Sequence, residues 1–285
     1  MSNCESQDTG KFRTNTKDQF FTSQSVAHAC VATICDTYTD ASEFLWLEPS
    51  AGSGAFLHAI PESFSSIGID IDPKADDVIK GDYLTWTGLP DTHQKVIVFG
   101  NPPFGRQSAL AKAFISKSCQ FADVIAFVLP RSFTKPSMYG AFAPRFHMVH
   151  NEELPKNSFV LNGGVYDVPC VFQIWERRDD DRPQVAKVVA SGYEYVKPGE
   201  DYHIAFRRVG GLAGKCYAND GTDYSRQSHY FIRLGDEVTH LVDDVIRLTN
   251  EHVFPSNTVG PRSLSKTEAN EVLNEVLYEI ATVDL

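Results

Sequence analysis

Two adjacent prolines constrain this chain more than any other feature. Pro102 and Pro103 follow the β-branched and aromatic run 95–99 (KVIVF), which reads as a buried strand, and they bring it to an abrupt stop. Each proline fixes a φ angle and lacks an N–H, so the carbonyls of Asn101 and Pro102 have no adjacent amide competing for them. Asn101 adds a side-chain carbonyl, and Phe104 adds a flat apolar face. Oxygens that accept two N–H bonds beside an aromatic ring suit a planar ligand with an exocyclic amino group; adenine fits that description. Taken alone, the tetrapeptide is also compatible with a plain Pro-Pro turn that closes a strand.

The residues upstream separate these readings. Residues 43–47 (EFLWL) form an earlier strand, and the loop Glu48-Pro49-Ser50-Ala51-Gly52-Ser53-Gly54 follows at once, with 55–60 beginning a helix. A strand, a glycine turn and a helix open a nucleotide-binding α/β unit. Gly52 and Gly54 allow close approach of the backbone to a ligand. Glu48 is negative and no Gly-Lys-Ser/Thr is present, so the loop disfavours phosphate and suits a cationic amino or sulfonium group. A second strand, 66–73, ends in Asp70 and Asp72, about 20 residues beyond the glycine loop, where an acid that bonds both ribose hydroxyls belongs. Residues 78–84 form a third strand and turn. Asp82 there can accept a bond from an adenine amino group, with Tyr83 against the ring. All these polar groups fall at carboxyl ends of strands, the edge along which open α/β sheets bind ligands.

The remaining elements frame this pattern. Thr22 or Ser23 caps a first helix whose apolar positions are Val26, Ala27, Cys30, Val31 and Ile34. Residues 108–120 read as a helix with Leu110, Ala111, Phe114, Ile115 and Ser118 inward. Strands are expected at 123–129, 146–150 and 169–175, with a Gly- and Asn-rich loop at 154–164 that carries Phe159 and is followed by Tyr166. The charged run 177–183, closed by a proline, reads as a domain boundary. Beyond it lie a strand at 202–208, a glycine loop at 209–215, a helix at 236–249, and the capping box Ser265-x-x-Glu268 opening a last helix to residue 279.

Composition sets outer limits. The chain has 285 residues, enough for one substantial core and a smaller appended unit. Its net charge of −11 argues against a protein that coats nucleic acid non-specifically, but leaves room for a local basic cleft. Six cysteines are scattered without C-x-x-C or zinc-type His spacing, which suggests reduced thiols and no metal site. No apolar run reaches membrane-spanning length and the start is polar, so a cytoplasmic protein is expected, with residues 1–17 disordered.

In order, Phe20-Phe21-Thr22, the Glu48–Gly54 loop, Asp70, Asp82-Tyr83-Leu84 and Asn101-Pro102-Pro103-Phe104 resemble the adenine-N6 DNA methyltransferases over residues 17–176. The resemblance implies an α/β, Rossmann-like seven-stranded mixed sheet with helices on both faces and an antiparallel final hairpin. On this pattern, residues 18–178 form an S-adenosylmethionine-dependent catalytic domain, and 184–285 a small α+β extension for substrate recognition. Phe20, Thr22, Glu48, Ser50, Gly52, Gly54, Asp70, Ile71, Asp82, Tyr83 and Pro103 would contact the cofactor, and Asn101 and the Pro102 carbonyl would hold the target amine. Phe104 would stack on the base and Phe159 would supply a second aromatic face. Arg106, Lys112, Arg131, Lys135, Arg207, Arg208 and Lys215 are candidates for the phosphate-facing side. The implied partner is nucleic acid, with DNA favoured, bound by a monomer or homodimer. Phe104 with Gly105 is also similar to enzymes that methylate adenine in structured RNA. The tetrapeptide further occurs in protein glutamine methyltransferases, and a non-catalytic subunit that keeps the fold is the remaining alternative.

Overall fold

Continuous β-branched and aromatic runs set the central strands. The structure, a computed structural model, describes residues 20–89, 95–161, 163–184, 186–255 and 261–283. The expected disordered segment 1–17, with Cys4, and Asn162 lie outside them. The chain divides into two units, Met1–Pro183 and Gln184–Leu285. In chain order the first contains β1 (Phe21–Thr22), α1 (Gln24–Thr37), β2 (Leu45–Glu48), β3 (Ser66–Asp70), β4 (Val78–Lys80) and β5 (Val96–Gly100). After these come α2 (Ala109–Ser118), β6 (Val124–Pro130), β7 (Phe146–Glu153), β8 (Phe159–Leu161), β9 (Gly164–Tyr166) and β10 (Cys170–Arg177).

Seven strands form one sheet in the order β4-β3-β2-β5-β6-β10-β7. The first five are parallel, and β10 runs antiparallel to both β6 and β7. Every residue of β2, β5 and β6 is buried, as befits strands covered on both faces. The fold is Rossmann-like, with the antiparallel final hairpin that the sequence led us to expect. Strand order reverses between β2 and β5, which creates the crevice where such sheets take ligands. Glu48 ends β2 and Asn101 follows β5, so the two groups flank that crevice.

Local differences from the sequence reading have identifiable causes. Residues 55–60 do not begin an α-helix; one 3-10 turn, Leu57–Ala59, forms instead. Pro61 holds Ile60 in an extended conformation (ψ 141°) and stops propagation. Leu110, expected inward, is 41% exposed, whereas Ala111, Phe114, Ile115 and Ser118 are buried. A second sheet, β1-β8-β9, sets Phe21 opposite Val160 and Thr22 opposite Phe159. The charged run at 177–183 is fastened rather than loose. Arg182 donates four bonds, to the carbonyls of Tyr139, Phe142, Ala143 and Phe146, and its guanidinium lies over the Trp175 ring.

The second unit contains β11 (Tyr193–Val196), β12 (Ile204–Arg207), β13 (Cys216–Ala218), β14 (His229–Leu234), α3 (Val242–Glu251) and α4 (Lys266–Val283). Its antiparallel sheet runs β11-β14-β12-β13 over its own core, which includes Phe206, Ile232 and Leu273. The capping box is formed: Ser265 N donates to Glu268 Oε2 at 2.9 Å, and Glu268 N donates to Ser265 Oγ at 3.2 Å. Among the described residues, no helix is long and apolar enough to cross a membrane.

Candidate functional site

A cavity of about 730 Å³ opens at the carboxyl edge of the large sheet, a size suited to a small organic ligand. Its walls come from β1, the loop after β2, the ends of β3 and β4, the segment after β5, and α2. Glu48, Asp70, Asp72 and Asp82 line it; among the described residues no Lys or Arg does, although Lys74 Nζ pairs with Asp72 Oδ2 at 2.9 Å.

Asn101 has one free acceptor. Its Nδ2 donates to the Phe20 carbonyl at 3.0 Å, and its backbone carbonyl accepts from Ser50 Oγ at 2.9 Å. Oδ1 is buried without a hydrogen-bond partner. An unpaired buried carbonyl costs roughly 1–3 kcal/mol, so a donor that reaches it is rewarded by about as much.

Glu48 is 2% exposed and its Oε2 has no partner. Burial pushes its carboxyl up to about 8; a hydrogen bond from the Leu57 backbone pulls the other way, and the charges of Asp70 and Asp77 push it further up. Glu48 fits because residue 100 is glycine. Gly100 has φ 117°, and a Cβ there would lie 3.0 Å from Glu48 Cγ. Asp70 is pinned by the chain around it: Oδ2 accepts from Gly52 N and Oδ1 from Asp72 N, both at 2.8 Å. Gly52 is required by its φ of 52° and by the Phe21 ring, which a Cβ would meet at 2.8 Å.

The other expected cofactor contacts divide. Phe20, Thr22, Ile71 and Pro103 line the cavity; Thr22 Oγ1 is buried and unpartnered, and Ile71 is 70% exposed. Asp82 lines it too and accepts from Leu84 N. Tyr83 borders the cavity, but its ring packs on Phe114 and its hydroxyl is bonded to Ser118 Oγ at 2.8 Å. Gly54 is not among the lining residues; its φ of 79° shapes the turn, over which His58 closes.

On the substrate side, the expected residues are less open than those expected around the cofactor. Phe104 is 6% exposed, belongs to the hydrophobic core and is not among the cavity's lining residues. Phe159 is fully buried, with its ring edge-on to Phe20 at 6.4 Å. In both cases core packing takes the aromatic side chain. Four of the cations are engaged within their own unit. Arg131 pairs with Glu153 at 2.9 Å, Arg207 donates to the Val209 carbonyl, Arg208 to that of Gln227 and Lys215 to that of Asn250. Arg106 and Lys112 are exposed, and Lys135 is half-buried. The sequence reading overlooked Phe21, Leu110 and Phe114 as lining residues. Helical periodicity located Phe114 on the inward face without revealing that this face reaches the ligand edge.

No protein-family profile matches the chain, and no curated protein matches it. Among solved structures it is similar to a protein from Pyrococcus horikoshii provisionally named an RNA methyltransferase, with 17% identity and a TM-score of 0.43, over 53% of this chain and 83% of that one. It is also similar to a Listeria monocytogenes protein provisionally named a class I S-adenosylmethionine-dependent methyltransferase, at 14% identity and TM-score 0.45, over 60% of this chain and 64% of that one. A third is the methyltransferase subunit of a type I restriction-modification system from Streptococcus thermophilus, at 15% identity and TM-score 0.45, over 92% of this chain and 60% of that one. What the cavity accepts follows from its own donors and acceptors.

Proposed function

We propose that this chain is an S-adenosylmethionine-dependent methyltransferase that acts on the N6 amine of adenine in nucleic acid, with DNA favoured. The observation that carries the reading is Asn101 Oδ1, buried and unpartnered at the cavity; the carbonyl of the buried neighbour Pro102 is assigned as the second acceptor. The residues present fit the cofactor. The wall is acidic, with only Asp72 neutralised by Lys74 among the ion pairs found there, so it disfavours phosphate and favours a ligand with positive charge, which Glu48 is placed to meet. Asp70 keeps acceptor capacity for ribose hydroxyls beyond its two backbone bonds. Ile71 offers exposed apolar surface for a ring.

When bound, the cofactor supplies an electrophilic sulfonium methyl. The chain's part is to hold the amine. Asn101 Oδ1 and the Pro102 carbonyl accept its two hydrogens, which favours a more tetrahedral nitrogen with an available lone pair and fixes its line of approach. A duplex base must leave its stack first, at a cost of a few kcal/mol. The second unit is assigned to substrate recognition.

Methyl transfer to mixed DNA and RNA oligonucleotides, followed by mass spectrometry of the nucleosides, tests this reading. N6-methyladenine in DNA is expected. Methylated adenosine in RNA alone would move the substrate class, and cofactor binding without any transfer would leave the non-catalytic alternative. Asn101→Ala is expected to lower the single-turnover rate by about 10²–10³ while preserving folding and cofactor affinity. A wild-type rate in that variant would refute the assignment of the turn.

A further inference from the structure

Asn101 is gripped at two points by segments remote from it in sequence. Ser50 Oγ, in the loop after β2, holds its backbone carbonyl, and the Phe20 carbonyl, just before β1, holds its side-chain amide. The two bonds do different things. With Nδ2 committed to a carbonyl, the carboxamide has a single orientation, because a half-turn would set Oδ1 against Phe20 O, acceptor to acceptor. The Phe20 carbonyl is itself fixed. Phe20 is 9% exposed, its ring packs on Phe159 and Tyr166, and the next residues pair with β8, beside which Ser23 N donates to Ser158 O at 2.9 Å. The Ser50 bond fixes the backbone from which the carboxamide hangs. It also occupies the Asn101 carbonyl, which would otherwise be a third acceptor competing for the amine's two hydrogens.

We propose that Ser50 is a positioning residue for Asn101: its hydroxyl ties the glycine loop to the acceptor segment after β5, so that Oδ1 is held at the cavity before any substrate arrives. This rests on the proposed role of Asn101. Ser50 lines the cavity as a cofactor contact would, so the two roles must be told apart. A cofactor contact acts on cofactor affinity. A positioning residue acts on the rate of transfer and on the state of the Asn101 amide.

The test compares the full-length wild type with Ser50→Ala and Ser50→Thr through three measurements: single-turnover transfer to an adenine oligonucleotide, S-adenosylmethionine binding by calorimetry, and the Asn101 side-chain amide resonances by NMR. Ser50→Ala is expected to slow transfer by about 10–100-fold, the scale of a displacement of about one ångström or less at a reacting group. Its cofactor affinity should stay within about two-fold of wild type, and a split between rate and binding is the mark of a lost transition-state interaction. The Asn101 amide protons should exchange faster, and Ser50→Thr, which keeps a hydroxyl, should restore both rate and amide protection. Unchanged rate and amide protection in Ser50→Ala would overturn the proposal. So would a loss of cofactor affinity that accounts for the whole loss of rate, since Ser50 would then be a plain cofactor contact. Should the wild type itself transfer no methyl to adenine, the proposed function fails, while the amide resonances still decide whether Ser50 holds Asn101.

Discussion

Replacing Glu48 with Gln should remove a pH dependence of stability that the buried carboxyl imposes. Glu48 is 2% exposed, and its carboxyl titrates at about 8 in the fold against an ordinary value of 4.5. Between these values the folded chain keeps a proton that the unfolded chain has lost. Stability is therefore full below pH 4.5 and falls by about 1.4 kcal/mol per pH unit as pH rises to about 8, or roughly 5 kcal/mol over the window. For a unit of this size that slope corresponds to roughly 3–6 °C in Tm per pH unit. Glu48→Gln has nothing to ionise, so its excess stability over wild type should grow from pH 5 to pH 8. A carboxamide N–H left without a partner shifts the whole curve by about 1–3 kcal/mol, which is why the slope and not the absolute Tm is diagnostic. Thermal denaturation of both proteins across this range measures it, and parallel curves would refute the reasoning. A cationic ligand adds a second readout. It needs Glu48 ionised, so at about one pH unit below 8 binding should release close to one proton per site, falling to about half at pH 8, seen by calorimetry in buffers of different ionisation enthalpy. Glu48→Gln should release none.

Asp70→Ala removes the acceptor of Gly52 N and Asp72 N together with the proposed ribose contact. Cofactor binding should weaken by about 1–3 kcal/mol in calorimetry, and unchanged affinity would move the contact to Asp72. Phe159→Ala empties a fully buried site, so it should cost about 3–5 kcal/mol in denaturation. A stable variant with weakened base binding would instead give Phe159 the substrate role. Arg182→Ala strips donors from four carbonyls and should cost about 2–4 kcal/mol, and an unmoved denaturation midpoint would show that those carbonyls find water at no loss.

The sequence made the central strands legible because burial on both faces leaves almost only apolar residues in them: β2 has no charged side chain before Glu48 at its carboxyl end, and β5 and β6 have none. Polar groups and glycines therefore stand out where those strands stop. Strand β14 offers no clean alternation, since the adjacent Phe231 and Ile232 are both buried, and it was not read from the sequence. Strands β1, β8 and β9 are two or three residues long and exist only through pairing with distant segments, so no local period announces them. Side-chain direction was legible in helices, where Phe114 and Ile115 repeat with α1-like spacing, but not in turns. Nothing local tells whether Phe104 faces a ligand or the core.

Polar satisfaction and backbone strain are uneven over this molecule, and at the cavity the two costs occur close together in the chain. Arg182 satisfies four carbonyls at once, and Ser265 and Glu268 close a complete capping box. Around the cavity Thr22 Oγ1, Glu48 Oε2 and Asn101 Oδ1 are buried without partners, as are atoms elsewhere such as Tyr38 Oη, His229 Nε2 and Thr249 Oγ1. The chain leaving the two prolines is strained as well. Gly105 has φ 67°, and Gln107 and Ser108, which carry side chains, have φ 54° and 59°, a left-handed conformation that costs about 1–2 kcal/mol per residue. That bend feeds α2 directly and accompanies a buried Phe104 and an exposed Leu110 at the cavity wall. Sequences that fold well agree with themselves at every level except where function requires otherwise. Here unpaired acceptors, a carboxyl held protonated and left-handed non-glycine residues converge on one edge of one sheet. Pro102 and Pro103 fix two φ angles between the unpaired Asn101 acceptor and the left-handed residues that follow, while Ser50 and the Phe20 carbonyl hold Asn101 itself.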